Sequence, residues 1–180
     1  MIHGVQLRRL TMNRDARGSF TEIFSNAWGL PIEAVQWSLV KSHRKVLRGM
    51  HVHLRHDEYF TVVQGRACVG LYDLRLDSPT KGAASLVEID GDSLSFLCFP
   101  RGVLHGWYFY EDSLHLQAVS EHYSDYHPDD NLGCSWSDKE LNIPWPDPSP
   151  IVSDRTVSFP SLKELAASVW KKDRALERKS

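Results

Sequence analysis

Residues 48–60 read RGMHVHLRHDEYF and hold two imidazoles, His51 and His53, with a carboxylate, Glu58, five residues past the second. On a strand, side chains two apart share a face, so His51 and His53 point the same way. Glu58, Phe60 and Val62 do the same on a strand beginning near Asp57. The segment therefore predicts two strands that direct groups able to bind a metal, or to move a proton, to one side of a sheet. The period of two continues in both directions. Residues 35–40, 47–53, 59–63, 67–76, 85–89, 94–99, 105–110 and 114–120 are short runs rich in β-branched or aromatic side chains. The turn signals DARG, QG, LDSPTKG, DGDS, PRG and YEDS separate such runs. This alternation predicts an all-β sandwich or barrel.

Composition narrows the function classes. A chain of 180 residues, 42% hydrophobic and 24% charged, suits one globular domain over 1–180. Twenty-one basic against twenty-three acidic side chains give a net charge of −2, so no whole-molecule field draws the protein to nucleic acid or anionic lipid. No apolar run of signal-peptide or membrane-spanning length is present, and a soluble, cytoplasmic protein is expected. Cys68, Cys98 and Cys134 are odd in number and widely spaced, which predicts buried reduced thiols and neither a disulfide framework nor a cysteine zinc site. Residues 1–25 supply N-terminal strands. Residues 123–160, broken by Pro128, Pro144, Pro146, Pro148 and Pro150, predict an irregular wrap over the barrel. A helix follows over 161–178: Ser161 and Glu164 stand at capping-box spacing, and Leu162, Leu165, Val169 and Leu176 share one face.

His51, His53, Glu58 and Gly65 fit H-x-H-x4-E-x6-G, and Pro100, Gly102 and His105 fit P-x-G-x2-H. The two patterns resemble the paired motifs of the cupin superfamily, a double-stranded β-helix or jelly-roll barrel in which three histidines and a glutamate converge on a divalent metal. The glycine that opens the first motif is Lys45 here, and the asparagine that closes the second is Phe109. Three imidazoles with one carboxylate suit manganese, iron, nickel or zinc.

A wider resemblance spans nearly the whole chain. RDARGSFTEIF (14–24), VQWS (35–38), VLRGMH (46–51), DLRLDSPTKG (73–82), FPRGVLHGW (99–107), YHPDDNLGCSWSDKELNIPWP (126–146) and PIVSDR (150–155) occur in the order found in the dTDP-4-dehydrorhamnose 3,5-epimerase family. The resemblance implies a cupin-fold homodimer, formed by exchange of N-terminal strands, that works without a cofactor. The substrate it implies is a nucleoside-diphosphate-linked 4-keto-6-deoxyhexose. Removing a proton beside a ketone requires a base against that carbon and stabilisation of the enolate oxygen. By resemblance the base is His51, oriented by Asp154, while Arg17, Glu22, Gln36, Arg48, His105 and Ser120 fall at substrate-contacting positions. Arginines at 17 and 48 suit a diphosphate, which a planar guanidinium can grip with two hydrogen bonds.

The departures from the family pattern are informative. The family's general-acid tyrosine is replaced by Ser120, whose hydroxyl is a far weaker acid than a phenol at about pKa 10. Tyr123 or Tyr126 could take its place. The family's lysine is Glu58, its glutamine is His53, its asparagine is Ser38, and an aromatic beside the nucleotide base is Asp125. Two of these changes complete the metal pattern of His51, His53, Glu58 and His105, in which an ion would act as a Lewis acid on the keto oxygen. Coordination would occupy His51 and leave Tyr59, Tyr108, Tyr123 or a metal-bound hydroxide to move the proton. Without a metal, Glu58 would pair with Arg48 or a protonated histidine. The leading expectation is an epimerase or ketoisomerase; the alternatives are a metal-dependent cupin enzyme acting on another small molecule and a non-catalytic sugar-nucleotide binding module.

Overall fold

The computed structural model describes residues 1–125 and 130–177, with side chains as far as 171. Two five-stranded sheets form the body. The first runs β1 (Gln6–Arg9), β9 (Ser95–Phe99), β6 (Glu58–Gln64), β11 (Ser113–Val119), β4 (Gln36–Ser42). The second runs β12 (Leu132–Gly133), β5 (Leu47–Val52), β10 (Val103–Phe109), β7 (Arg66–Asp73), β8 (Ala84–Asp90). Their ladders are antiparallel. A separate hairpin joins β2 (Met12–Asp15) to β3 (Gly18–Thr21) across the DARG turn.

Alternation along each strand decides what lies between the sheets. Phe60 and Val62, Ala67, Val69 and Leu71, Leu97 and Phe99, and Val103, Trp107 and Phe109 are buried in one cluster with Ile2, Val5 and Ile89. Every strand in that series contributes every second residue, as a barrel interior requires. Burying each large side chain contributes roughly 1.5–3 kcal/mol, and Phe60 stacks on Trp107 with centroids 4.7 Å apart. The intervening residues build the outer layers. Tyr59, Phe96, Cys98 and Ala118 pack beneath Leu10 and Ile32 on the first sheet. Met50, Val52 and Leu104 of the second sheet meet Leu162, Leu165, Ala166 and Val169 of a C-terminal helix.

That helix, α2 (Leu162–Glu177), starts with the expected capping box. Glu164 Oε2 accepts from Ser161 N at 2.9 Å, and Ser161 Oγ accepts from Glu164 N at 3.3 Å. The Leu176 side chain lies outside the described residues. A one-turn helix not anticipated from sequence, α1 (Asp154–Val157), precedes it. The strand expected over 67–76 stops at Asp73, whose carboxylate accepts from Arg75 Nε, Ser78 Oγ and Thr80 Oγ1 at 2.8, 2.6 and 2.7 Å and turns the chain. Cys68, Cys98 and Cys134 are free and buried, and burial pushes their thiols up to about 11, 12 and 12.

Candidate active site

One end of the barrel interior is apolar; toward the other, the inward positions turn polar. His51 on β5 stands opposite His105 on β10. The two strands approach closely because Gly49, at φ +128°, faces Gly106, where a Cβ on Gly49 would lie 2.5 Å from the Gly106 Cα. His53 lies just past the end of β5, and Glu58 opens β6. Glu58 is 2% exposed, and its Oε1 lies 3.1 Å from His105 Nε2, 3.3 Å from His53 Nε2 and 3.7 Å from His56 Nε2. Its other oxygen accepts from Gln117 Nε2 at 3.2 Å. Burial pushes the Glu58 carboxyl up, but His105 and the other imidazoles outweigh that and hold it well below the usual range.

His56, Asp130, Gln117 and Glu121 are the neighbours that sequence reasoning missed. His56 stands two residues before Glu58, in the turn that precedes β6. Burial disfavours a charged His56, yet Glu58, Asp130 and Glu121 around it raise it above the ordinary histidine value. Asp130 accepts from Leu54 N and Arg55 N at 2.7 and 3.2 Å, and its carbonyl holds His53 Nδ1 at 2.9 Å. Burial lowers His53 to about 4 despite Glu58.

His51 is set apart from this cluster. Its ring centroid is 6.4 Å from that of His105, and Phe159 meets it edge-on at 5.5 Å. Among the described residues the groups spaced to hold a cation are His53, Glu58 and His105, and His53, His56 and Asp130. The four-ligand set expected from sequence is thereby corrected: β5 ends at Val52, so strand parity no longer ties His53 to the position of His51. Burial lowers His51 to about 3, helped by His105, His53 and Arg155, with Glu58 acting in the opposite direction.

The expected His51–Asp154 pair is not formed. Asp154 is the exposed first residue of α1, Ser153 caps that turn, and no ion pair or hydrogen bond joins Asp154 to His51. The turn instead buries Thr156 and brings Arg155 near, its guanidinium 5.4 Å over Phe159 and bonded to the Asn131 carbonyl at 2.6 Å.

The remaining expected residues are dispersed. Arg17 sits exposed on the β2–β3 hairpin, 2.6 Å from Asp15, and Glu22 borders a surface cleft with Arg8, Arg9 and Trp28. Gln36 Oε1 accepts from Tyr123 N at 2.8 Å, and Arg48 Nε donates to Ser42 Oγ at 2.9 Å and so does not pair with Glu58. Ser120 Oγ accepts from Asp57 N at 2.8 Å, closing the turn before β6. Tyr59 and Tyr108 lie on outer faces, donating to the Ile23 carbonyl and to Asp147 Oδ2, so neither phenol enters the pocket. Tyr123 is 77% exposed, and Tyr126 and Pro128 lie outside the described residues.

A jelly-roll barrel with buried imidazoles and a carboxylate at the polar end of its interior defines a cupin-fold protein. The chain belongs to the dTDP-4-dehydrorhamnose 3,5-epimerase family, whose sequence profile matches residues 1–164. It is 32% identical to the spore coat polysaccharide biosynthesis protein SpsL of Bacillus subtilis, over 81% of this chain and 97% of that one. It is 31% identical to a dTDP-4-dehydrorhamnose 3,5-epimerase of Shigella flexneri, over 80% of this chain and 83% of that one. The crystal structure of NovW, a 4-keto-6-deoxy sugar epimerase of Streptomyces spheroides, superposes with a TM-score of 0.84 at 28% identity, covering 93% of this chain and 87% of that one. These relatives favour neither of the alternative readings.

Proposed function

We propose that this protein epimerises a nucleoside-diphosphate-linked 4-keto-6-deoxyhexose, with His51 removing the proton from a carbon beside the ketone. The observation that carries the reading is a half-buried His51 facing His105 across β5 and β10 in a chain of this family. At neutral pH, burial keeps His51 uncharged, the form that accepts a proton. The imidazolium it becomes needs a counter-charge. Glu58 supports it in place of Asp154, being the group whose field raises His51. His105 and Gln117 offer hydrogen bonds to the sugar.

A homodimer completes this reading. Phe20 on the hairpin and Trp37 and Leu39 on β4 are exposed apolar side chains, and β1 and β4 are open sheet edges. Pairing across them would cover unsatisfied strand groups and carry Arg17 and Glu22 toward the partner's pocket. No helix among the described residues is long and apolar enough to cross a membrane, and the reading assigns the enzyme to the cytoplasm. The test incubates the protein with dTDP-4-keto-6-deoxyglucose and follows sugar-ring proton couplings by NMR. Appearance of an epimer inverted beside the ketone is expected, and an unchanged sugar refutes the assignment.

A further inference from the structure

A general base must keep its lone pair aimed at the carbon it deprotonates, and the second side-chain torsion of a histidine is loosely defined. A carboxylate bonded to the far ring nitrogen is the usual remedy. His51 lacks one: among the described residues neither of its ring nitrogens has a hydrogen-bond or ion-pair partner, and Asp154 is exposed. Packing has to hold the ring instead. On the β10 side His51 stands opposite His105, and on the β12 side it stands opposite Gly133. A side chain at Gly133 would be the second cross-strand neighbour of the imidazole. A Cβ there would lie 2.6 Å from Cε2 and Cζ of Phe159, and against the Met50 carbonyl oxygen, so the phenyl ring fills the space that the glycine leaves.

Phe159 is itself fixed from three directions. Its backbone N–H donates to the Thr156 carbonyl at 3.3 Å, and the Pro160 carbonyl accepts from Ser135 N at 2.8 Å. The Arg155 guanidinium lies 5.4 Å over the ring while donating to the Asn131 carbonyl at 2.6 Å. The phenyl ring stands perpendicular to His51 with centroids 5.5 Å apart, a favoured arrangement for an aromatic pair. We propose that Phe159 is the positioning residue of His51: a phenyl ring seated over Gly133 fixes the imidazole where a carboxylate would otherwise do so. The turn that exposes Asp154 also delivers Phe159, two residues past the end of α1. A packed ring sets the imidazole plane and takes up neither nitrogen. The catalytic consequence rests on the epimerase reading; the contact does not.

The full-length protein is compared with Phe159→Ala and Phe159→Leu, matched in circular dichroism, in two measurements. The first follows turnover of dTDP-4-keto-6-deoxyglucose and deuterium wash-in beside its ketone, with and without His51→Asn. A misplacement of about 1 Å costs on the order of 100-fold, so Phe159→Ala should lower kcat by roughly 10–100-fold and Phe159→Leu by less, with KM little changed. Added to His51→Asn, Phe159→Ala should slow wash-in no further, since a residue acting through the imidazole then has nothing to position. An equal loss in both backgrounds makes the role of Phe159 merely structural and overturns the proposal, as does an unchanged kcat. The second measurement needs no substrate. The ring protons of His51, assigned by their loss in His51→Asn, are read by NMR of histidine-labelled protein. Phe159→Ala removes the phenyl ring current and should move them; resonances that stay in place overturn the contact. Phe159→Leu keeps most of the volume and carries both measurements should Phe159→Ala fail to fold. A parent that leaves the sugar unchanged sinks the epimerase reading and the catalytic role with it, while the resonances still decide the contact.

Discussion

Replacing His115 with phenylalanine isolates one buried imidazole in a stability measurement. His115 is fully buried between Phe60, Trp107 and Phe109, with centroid distances of 4.9, 6.0 and 5.3 Å. Neither ring nitrogen meets a hydrogen-bond partner among the described residues. Burial, with the Arg48 charge adding to it, lowers the group from 6.5 to about 4. The folded protein therefore refuses a proton that the unfolded chain takes up. Stability attributable to this group is full above about pH 6.5, falls as pH drops toward 4, and then levels off. The whole separation is worth about 3 kcal/mol, of which about 2 kcal/mol is lost by pH 5. Phenylalanine fills a similar volume and carries no proton, so at pH 8 the exchange should shift stability by no more than about 1.5 kcal/mol. Urea unfolding of both proteins between pH 5 and 8 is the assay. The other histidines titrate in both proteins and largely cancel, so the variant should gain about 2 kcal/mol on the parent at pH 5 relative to pH 8. Parallel stability curves would refute an uncharged His115 in the barrel.

Three further substitutions test the site's surroundings. Ser120→Ala removes a hydrogen bond to the Asp57 backbone and should cost about 1 kcal/mol in a thermal melt, with kcat changed no more than a few-fold; a hundred-fold loss would return Ser120 to the chemistry. Asp154→Asn should leave kcat/KM and its pH profile nearly unaltered, whereas a carboxylate that orients a catalytic histidine costs on the order of 10⁴ when replaced by its amide. Gly49→Ala places a Cβ against the Gly106 backbone at a positive φ and should destabilise by at least about 3 kcal/mol, seen as a lowered melting temperature or no soluble protein.

The barrel was legible because strand parity repeats: Ala67, Val69 and Leu71, and then Trp107 and Phe109, are apolar at every second position and are buried together. The capping box of α2 was legible for a similar reason, since Ser161 and Glu164 act within one turn. What escaped the sequence depends on where regular backbone ends. A strand continued through His53 would have kept it in step with His51, but β5 stops at Val52, and the Asp130 carbonyl, far along the chain, sets the ring. Asp154 carried the expected residue type, yet the Ser153 cap starts a helical turn that exposes it and buries Thr156. His56 was passed over because a lone turn histidine carries no motif, and only the folded chain encloses it with Glu58, Glu121 and Asp130.

Proton removal by His51 is tested most directly by solvent deuterium wash-in. Parent protein and His51→Asn, matched in circular dichroism, are incubated in D2O with dTDP-4-keto-6-deoxyglucose, and deuterium at C3 and C5 is counted by mass spectrometry and NMR. The parent should incorporate deuterium beside the ketone, and His51→Asn should do so about 10²–10⁴-fold more slowly, the usual contribution of a general base. Equal exchange by the two proteins would contradict the assignment of His51 as the base.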